Sequence, residues 1–188
     1  MLYDIVSFLL QIFVSVFAGA CLLRVHMQAE RVSFANPLGQ VVLLLTNWLV
    51  QPVRRVVRAN GRWDWVGLLL AYALLLVQCV LLLLLAGAWP GLSIAPIWAF
   101  FALLRLALSL AMAIVLVHVV LSWIQPGGWL HGLTGQLCRP WLAGLRRMLP
   151  TAGGIDLSPL VLLLLLQVAQ IMLQHIQADM LSLTLPRL

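Results

Sequence analysis

Long apolar stretches alternate with shorter, arginine-bearing ones along this chain. Four of the apolar stretches, residues 5–23, 65–89, 97–124 and 159–176, reach the length needed to cross a bilayer, about 20 mostly apolar residues. In hydrocarbon the backbone finds no water to bond, so each run is predicted to be a helix. Their leucine and alanine content suits that conformation. The second run holds five consecutive leucines, and the third carries Arg105 near its start.

The connections have patterns of their own. Asn36-Pro37 reads as a helix start: an asparagine side chain caps free N–H groups, and proline at the first helical position gives up no bond. Residues 38–50 are too apolar to stand in water and too few to span, which predicts a short interfacial or bundle-packed helix. Pro52 is expected to break or redirect it, with Arg54-Arg55 directly after. Later in the chain, residues 130–138 precede Arg139-Pro140, then Arg146-Arg147 and Pro150. Gly153-Gly154-Ile155-Asp156-Leu157-Ser158-Pro159 reads as a turn into a helix capped by Ser158.

Composition sharpens the membrane reading. The chain is 64% hydrophobic and 9% charged, where soluble domains carry about a quarter charged residues. Its net charge of +6 comes from eleven arginines and no lysine. Those arginines lie between apolar runs, which excludes a nucleic-acid surface and makes them topology signals and headgroup contacts. Residues 24–64 carry six of them and residues 125–156 three, while the link 90–96 has none. Both long connections are therefore expected on the cytoplasmic face of a bacterial inner membrane, with both termini on the outer, periplasmic side. The amino terminus lacks the basic start of a signal peptide, so the first run is expected to be retained.

Shifted by 92 residues, the sequence meets itself. Arg54-Arg55 falls on Arg146-Arg147, Gly61 on Gly153, Asp64 on Asp156, Gln78 on Gln170 and His26 on His118. Leucine coincidences are cheap here, whereas this set is not. The expected fold is an all-α membrane protein of two parallel units, residues 1–92 and 93–188. Each unit is a helix, a cytoplasmic loop with a short interfacial helix, and a second helix.

These motifs resemble those of the YggT family of small bacterial membrane proteins, also found in chloroplasts. The likeness rests on Leu22-Leu23-Arg24, Gln28, Asn36-Pro37, Thr46, Pro52 through Arg55 and Asp64. In the second half it rests on Ser122-Trp123, Arg139-Pro140, Arg146-Arg147, Pro150 and Gly153 through Pro159. The resemblance implies roles in osmotic-stress tolerance with potassium uptake, or in assembling envelope, division or cytochrome complexes.

Chemistry is sparse. The arginine pairs Arg54, Arg55, Arg146 and Arg147 are candidates to hold a partner protein or anionic lipid headgroups, or to pair with Asp64 and Asp156 inside their own units. Arg105 is expected to snorkel to the outer headgroups, towards Asp179 or Asp4. Gln78 and Gln170 suit hydrogen bonds between helices, and His118, matched with His26, suits a bond to a neighbouring helix better than haem ligation. Cys21, Cys79 and Cys138 are too scattered for a disulfide framework or zinc site. No nucleophile, metal or phosphate-loop motif is present. The expectation is a non-enzymatic accessory or scaffold protein without cofactor or metal. Its expected partners are the bilayer, an unidentified protein or a second copy, not nucleic acid. The alternative is an oligomeric channel or transporter component for potassium or an osmolyte.

Overall fold

The computed structural model describes residues 2–56, 64–125, 127–148 and 156–184. Arg58, Gly61, Arg62, Trp63, Pro150 and the Gly153-Gly154-Ile155 turn lie outside the described residues, as does the side chain of Arg55. Among the described residues there are six α-helices: α1 (Leu2–Ala29), α2 (Pro37–Val56), α3 (Trp65–Leu85), α4 (Ala95–Ile124), α5 (Trp129–Met148) and α6 (Ser158–Thr184), with a 3-10 turn at Trp89–Ile94. Four of them, α1, α3, α4 and α6, are long and apolar enough to cross a membrane. The helices group into two compact units, residues 1–107 with 177–188, and residues 108–176.

Inside the first unit α1, α2 and α3 pack on one another. The inner side of α1 is made of Val14, Ala18, Cys21, Leu22 and Val25, all buried, and its outer side shows Ile5, Leu9, Ile12 and Val16. Apolar side chains facing outward are what lipid tails accept. The small residues Ala18 and Cys21 on α1, with Gly67 and Ala71 on α3, let backbones come close, the usual basis of helix association in lipid. A Cβ on Gly67 would meet Val25 Cγ2 at 3.0 Å and Asp64 Oδ2 at 3.2 Å.

Two helix ends explain where spans stop. At the end of α1, Arg31 takes φ 55°, Val32 N–H donates to Met27 O (2.9 Å) and Arg31 N–H to Gln28 O (3.1 Å). This is a Schellman turn, closed by the buried pair Met27 and Val32. The same bonds end α3, where Gly87 takes φ 69° and Ala88 and Gly87 donate to Leu83 and Leu84. That turn stops α3 at Leu85, so Trp89 belongs to the 3-10 turn and not to the span expected over 65–89.

Three further expectations need correction. α1 runs past Leu23 to Ala29, which puts Arg24 and His26 in a helix and not at the start of a loop. Pro52 does not break α2: like Pro140 in α5, it lies inside a helix of 20 residues. An interior proline costs about 3 kcal/mol, but Val42, Thr46 and Val50 anchor α2 through buried contacts, as Leu137, Cys138 and Leu142 anchor α5. The arginine pairs therefore sit on the final turns of these helices. Finally, α6 begins at Ser158 itself and continues eight residues beyond Ile176.

Candidate functional site: two arginine-aspartate clasps

In the first unit the polar residues converge on Asp64, which has no solvent exposure. Asp64 precedes α3, and its Oδ1 accepts from Gly67 N–H at 3.2 Å, capping that helix. Its Oδ2 accepts from Arg54 Nη2 of α2 at 2.9 Å and lies 3.4 Å from Arg24 Nε of α1. Arg24 is 6% exposed, and its Nη1 donates to Thr46 Oγ1 (2.8 Å) and Asn47 Oδ1 (2.9 Å). Thr46 in turn donates to Val42 O at 2.7 Å. One carboxylate thus joins α1, α2 and the head of α3. A buried charge is tolerable only when paired and bonded this fully.

Asn36 shapes the entry to α2. Its Oδ1 accepts from Gly39 N–H at 2.6 Å and its amide donates to Ser33 O at 2.5 Å. A Cβ on Gly39 would lie 2.7–2.9 Å from Phe34 backbone atoms, so only glycine fits there.

The second unit builds a looser version. Arg146 Nε of α5 donates to Asp156 Oδ2 at 2.8 Å, with the side chains 55% and 32% exposed. Asp156 Oδ1 accepts from Ser158 N–H at 3.0 Å. Asp156 Oδ1 thus takes up the first free N–H of α6 from two residues upstream, and Ser158 is the helix's first residue and a donor to it, not the residue ahead of the helix that its expected capping role required. Partial burial pushes the Asp156 carboxyl up, but bonds from Ser158 and Arg146 outweigh it and hold the group below its ordinary value. Under the 92-residue shift Leu116 stands where Arg24 does, and Cys138 where Thr46 does. The second unit therefore has no interior guanidinium at that place, and burial holds the Cys138 thiol up at about 11.

The remaining sequence candidates fall in smaller pairings. Thr134 Oγ1 donates to the carbonyls of Leu130 and His131, which leaves its oxygen to accept from His118 Nδ1, 3.2 Å away. The His118 ring stacks on His131 with centroids 4.6 Å apart, and His131 Nδ1 is buried without a bonding partner. Gln170 Nε2 donates to Ser109 Oγ at 2.7 Å. Arg105 Nη2 donates to Gln177 Oε1 at 2.5 Å, a partner that was not foreseen. Gln78 lies on α3, partly exposed. Arg147 is exposed on the last turn of α5, and Arg55 occupies the last turn of α2. No cluster of three or more metal-ligating side chains occurs among the described residues.

The residues missed as site components are Arg24, Asn47, Thr134 and His131. Arg24 carried a signal: apolar residues continue beyond it at Val25, Met27 and Ala29, so the helix had no reason to stop at Leu23.

Four apolar spans, with arginine-bearing helices clasped by an aspartate to the span that follows, define a helical, multi-pass membrane protein. The chain belongs to the CCB3/YggT family, whose pattern matches it twice, over residues 3–85 and 97–177. It is 35% identical over 163 residues to the protein YggT of Escherichia coli K12, covering 86% of this chain and 85% of that one. A Vibrio alginolyticus protein named for its place in the proC 3′ region is 33% identical over 174 residues, covering 90% of this chain and 94% of the relative. A Pseudomonas aeruginosa relative is 34% identical over 164 residues, covering 85% and 83%. No solved structure matches the chain.

Proposed function

We propose that the protein is a non-catalytic scaffold or accessory factor of the bacterial inner membrane. It works in osmotic and ion homeostasis or in the assembly of membrane complexes, and presents α2 and α5 on the cytoplasmic face with both termini outside. The carrying observation is where the polar groups are spent. Within the spans, Arg24, Arg105, His118 and Gln170 each bond to another side chain of the protein, so their hydrogen-bonding capacity goes into holding helices together and not into lining a path for ions. At the ends of α2 and α5, one arginine of each pair clasps an aspartate, and the neighbouring Arg55 and Arg147 are the pair members assigned to docking.

The doubled architecture, residues 1–92 and 93–188, belongs to the same reading. Its support is that α2 and α5 both begin and end 92 positions apart, at Pro37 and Trp129 and at Val56 and Met148.

Charge reversal at Arg55 and Arg147 tests docking, because it leaves the clasp arginines Arg54 and Arg146 unchanged. Crosslinking in cells should lose its partner bands while expression and melting temperature stay unchanged; unaltered bands would sink the docking reading. Purified protein in liposomes should pass neither potassium nor an osmolyte, and sustained flux would establish the conducting alternative instead.

A further inference from the structure

Two cavities of the second unit meet, and their chemistries differ. The first, about 670 Å³, runs between α4 and α6 and is walled mainly by Met112, Ala113, Leu116, Leu163 and Leu164. At Leu160 it adjoins the second, about 580 Å³, which is of mixed character and brings His118, Ser122, His131, Arg146 and Asp156 into its wall. Gly132 and Gly135 form part of its wall and leave the α5 backbone open to close approach. The same glycines and Arg146 continue into a recess of about 400 Å³ that ends on Gln136 and Arg139.

We propose that this composite cavity holds one glycerophospholipid bearing a single phosphodiester charge, with its headgroup at Arg139 and Arg146 and an acyl chain along the α4–α6 groove. Charge supports the assignment. The two guanidiniums and the Asp156 carboxylate leave one positive charge uncompensated, which a phosphodiester neutralises and a zwitterionic headgroup does not. Basic pockets at the ends of spans bind such headgroups by the same electrostatics. Length supports the tail. From Leu160 to Gln167 the groove follows α6 for about 10 Å at 1.5 Å per residue, a distance that takes several methylenes and that a free phosphate would leave empty. The site is independent of docking by Arg55 and Arg147, since lipid retention and partner capture are separate readouts.

Native mass spectrometry of the detergent-purified full chain tests it, with phosphatidylglycerol, phosphatidylethanolamine and glycerol 3-phosphate as probes. One phosphatidylglycerol should be retained per chain, in preference to phosphatidylethanolamine. Arg139→Gln should weaken it about fivefold, the effect of one basic residue near a phosphate. Leu164→Trp, and independently Met112→Trp on the facing wall, should fill the groove and release the lipid at unchanged melting temperature. Equal binding of phosphatidylethanolamine would overturn the headgroup assignment, and displacement by glycerol 3-phosphate would make this a free-phosphate site. Retention by both tryptophan variants would remove the acyl chain from the groove. A lipid-free dimer that Leu164→Trp dissociates would show that a second copy covers it.

Discussion

Arg24 Nε and Asp64 Oδ2 stand 3.4 Å apart with side chains only 7% and 0% exposed, so the first and third helices are joined through a charge pair sealed from solvent. The pair owes its stability to company: Arg54 and the Gly67 N–H also bond Asp64, and Thr46 and Asn47 accept from Arg24. In such a setting neither partner is dispensable.

Asp64→Asn should therefore cost about 3–5 kcal/mol, the penalty for stranding a buried charge, here with two arginines left uncompensated. Asp156→Asn breaks a clasp that is a third to a half exposed and should cost under about 1 kcal/mol. Thermal unfolding of the purified variants in one detergent measures both. Equal losses would contradict the difference in burial.

Acid should act on the second clasp in a defined direction. The Asp156 carboxyl is held below its usual 3.8, against the effect of burial, by Ser158 and Arg146. A depressed value means the folded state favours the charged form. Its stabilisation is fully present above the unfolded value and fades as pH falls through the lower folded one. Wild type and Asp156→Asn should differ by a constant amount at neutral pH and converge as the medium is acidified below about 4. A difference that grew on acidification would reverse the assigned sign.

The two Schellman turns predict opposite responses to one kind of exchange. Arg31 holds a left-handed backbone at φ 55°, a conformation that costs a side-chain-bearing residue roughly 1–2 kcal/mol. Arg31→Gly should raise stability by about 1 kcal/mol, and Gly87→Ala, at φ 69°, should lower it by about as much. A pair of melting curves decides it.

Gly39→Ala should be the most damaging of the small-residue changes. The clash is with Phe34 backbone, which cannot rotate away, so a loss of about 1–3 kcal/mol is expected, as in overpacked cores. Gly67→Ala meets a side-chain methyl and a carboxylate at 3.0–3.2 Å and should cost less. Protease sensitivity of residues 30–36 should rise in the Gly39 variant, because the Asn36 bond to residue 39 would open; unchanged cleavage would argue that the loop yields.

The four spans were legible in sequence because hydrocarbon imposes a single solution on an apolar run of that length. Their ends were not. Trp89 is as apolar as the span before it, and only the Gly87 turn, a matter of backbone angle, separates them. Pro52 misled for a related reason: its local cost is visible in the sequence, whereas the buried contact of Val50 that offsets it is not. At the clasps, the spacing of Arg54 and Arg146 from Asp64 and Asp156 offered both pairings. The contribution of Arg24 required knowing that α1 runs on for another turn and a half, bringing a residue 40 positions upstream beside Asp64.

That separation has a consequence for how the chain enters its membrane. Ribosomes add about 5–20 residues per second, so Arg24 leaves the exit tunnel roughly 2–8 s before its counter-ion. During this interval Arg24, about 7.5 Å from the end of α1, lacks the carboxylate that it meets in the folded chain. The cluster can therefore close only after the head of α3 has been made, so the last bond to form around Arg24 is the one that ties the first span to the next.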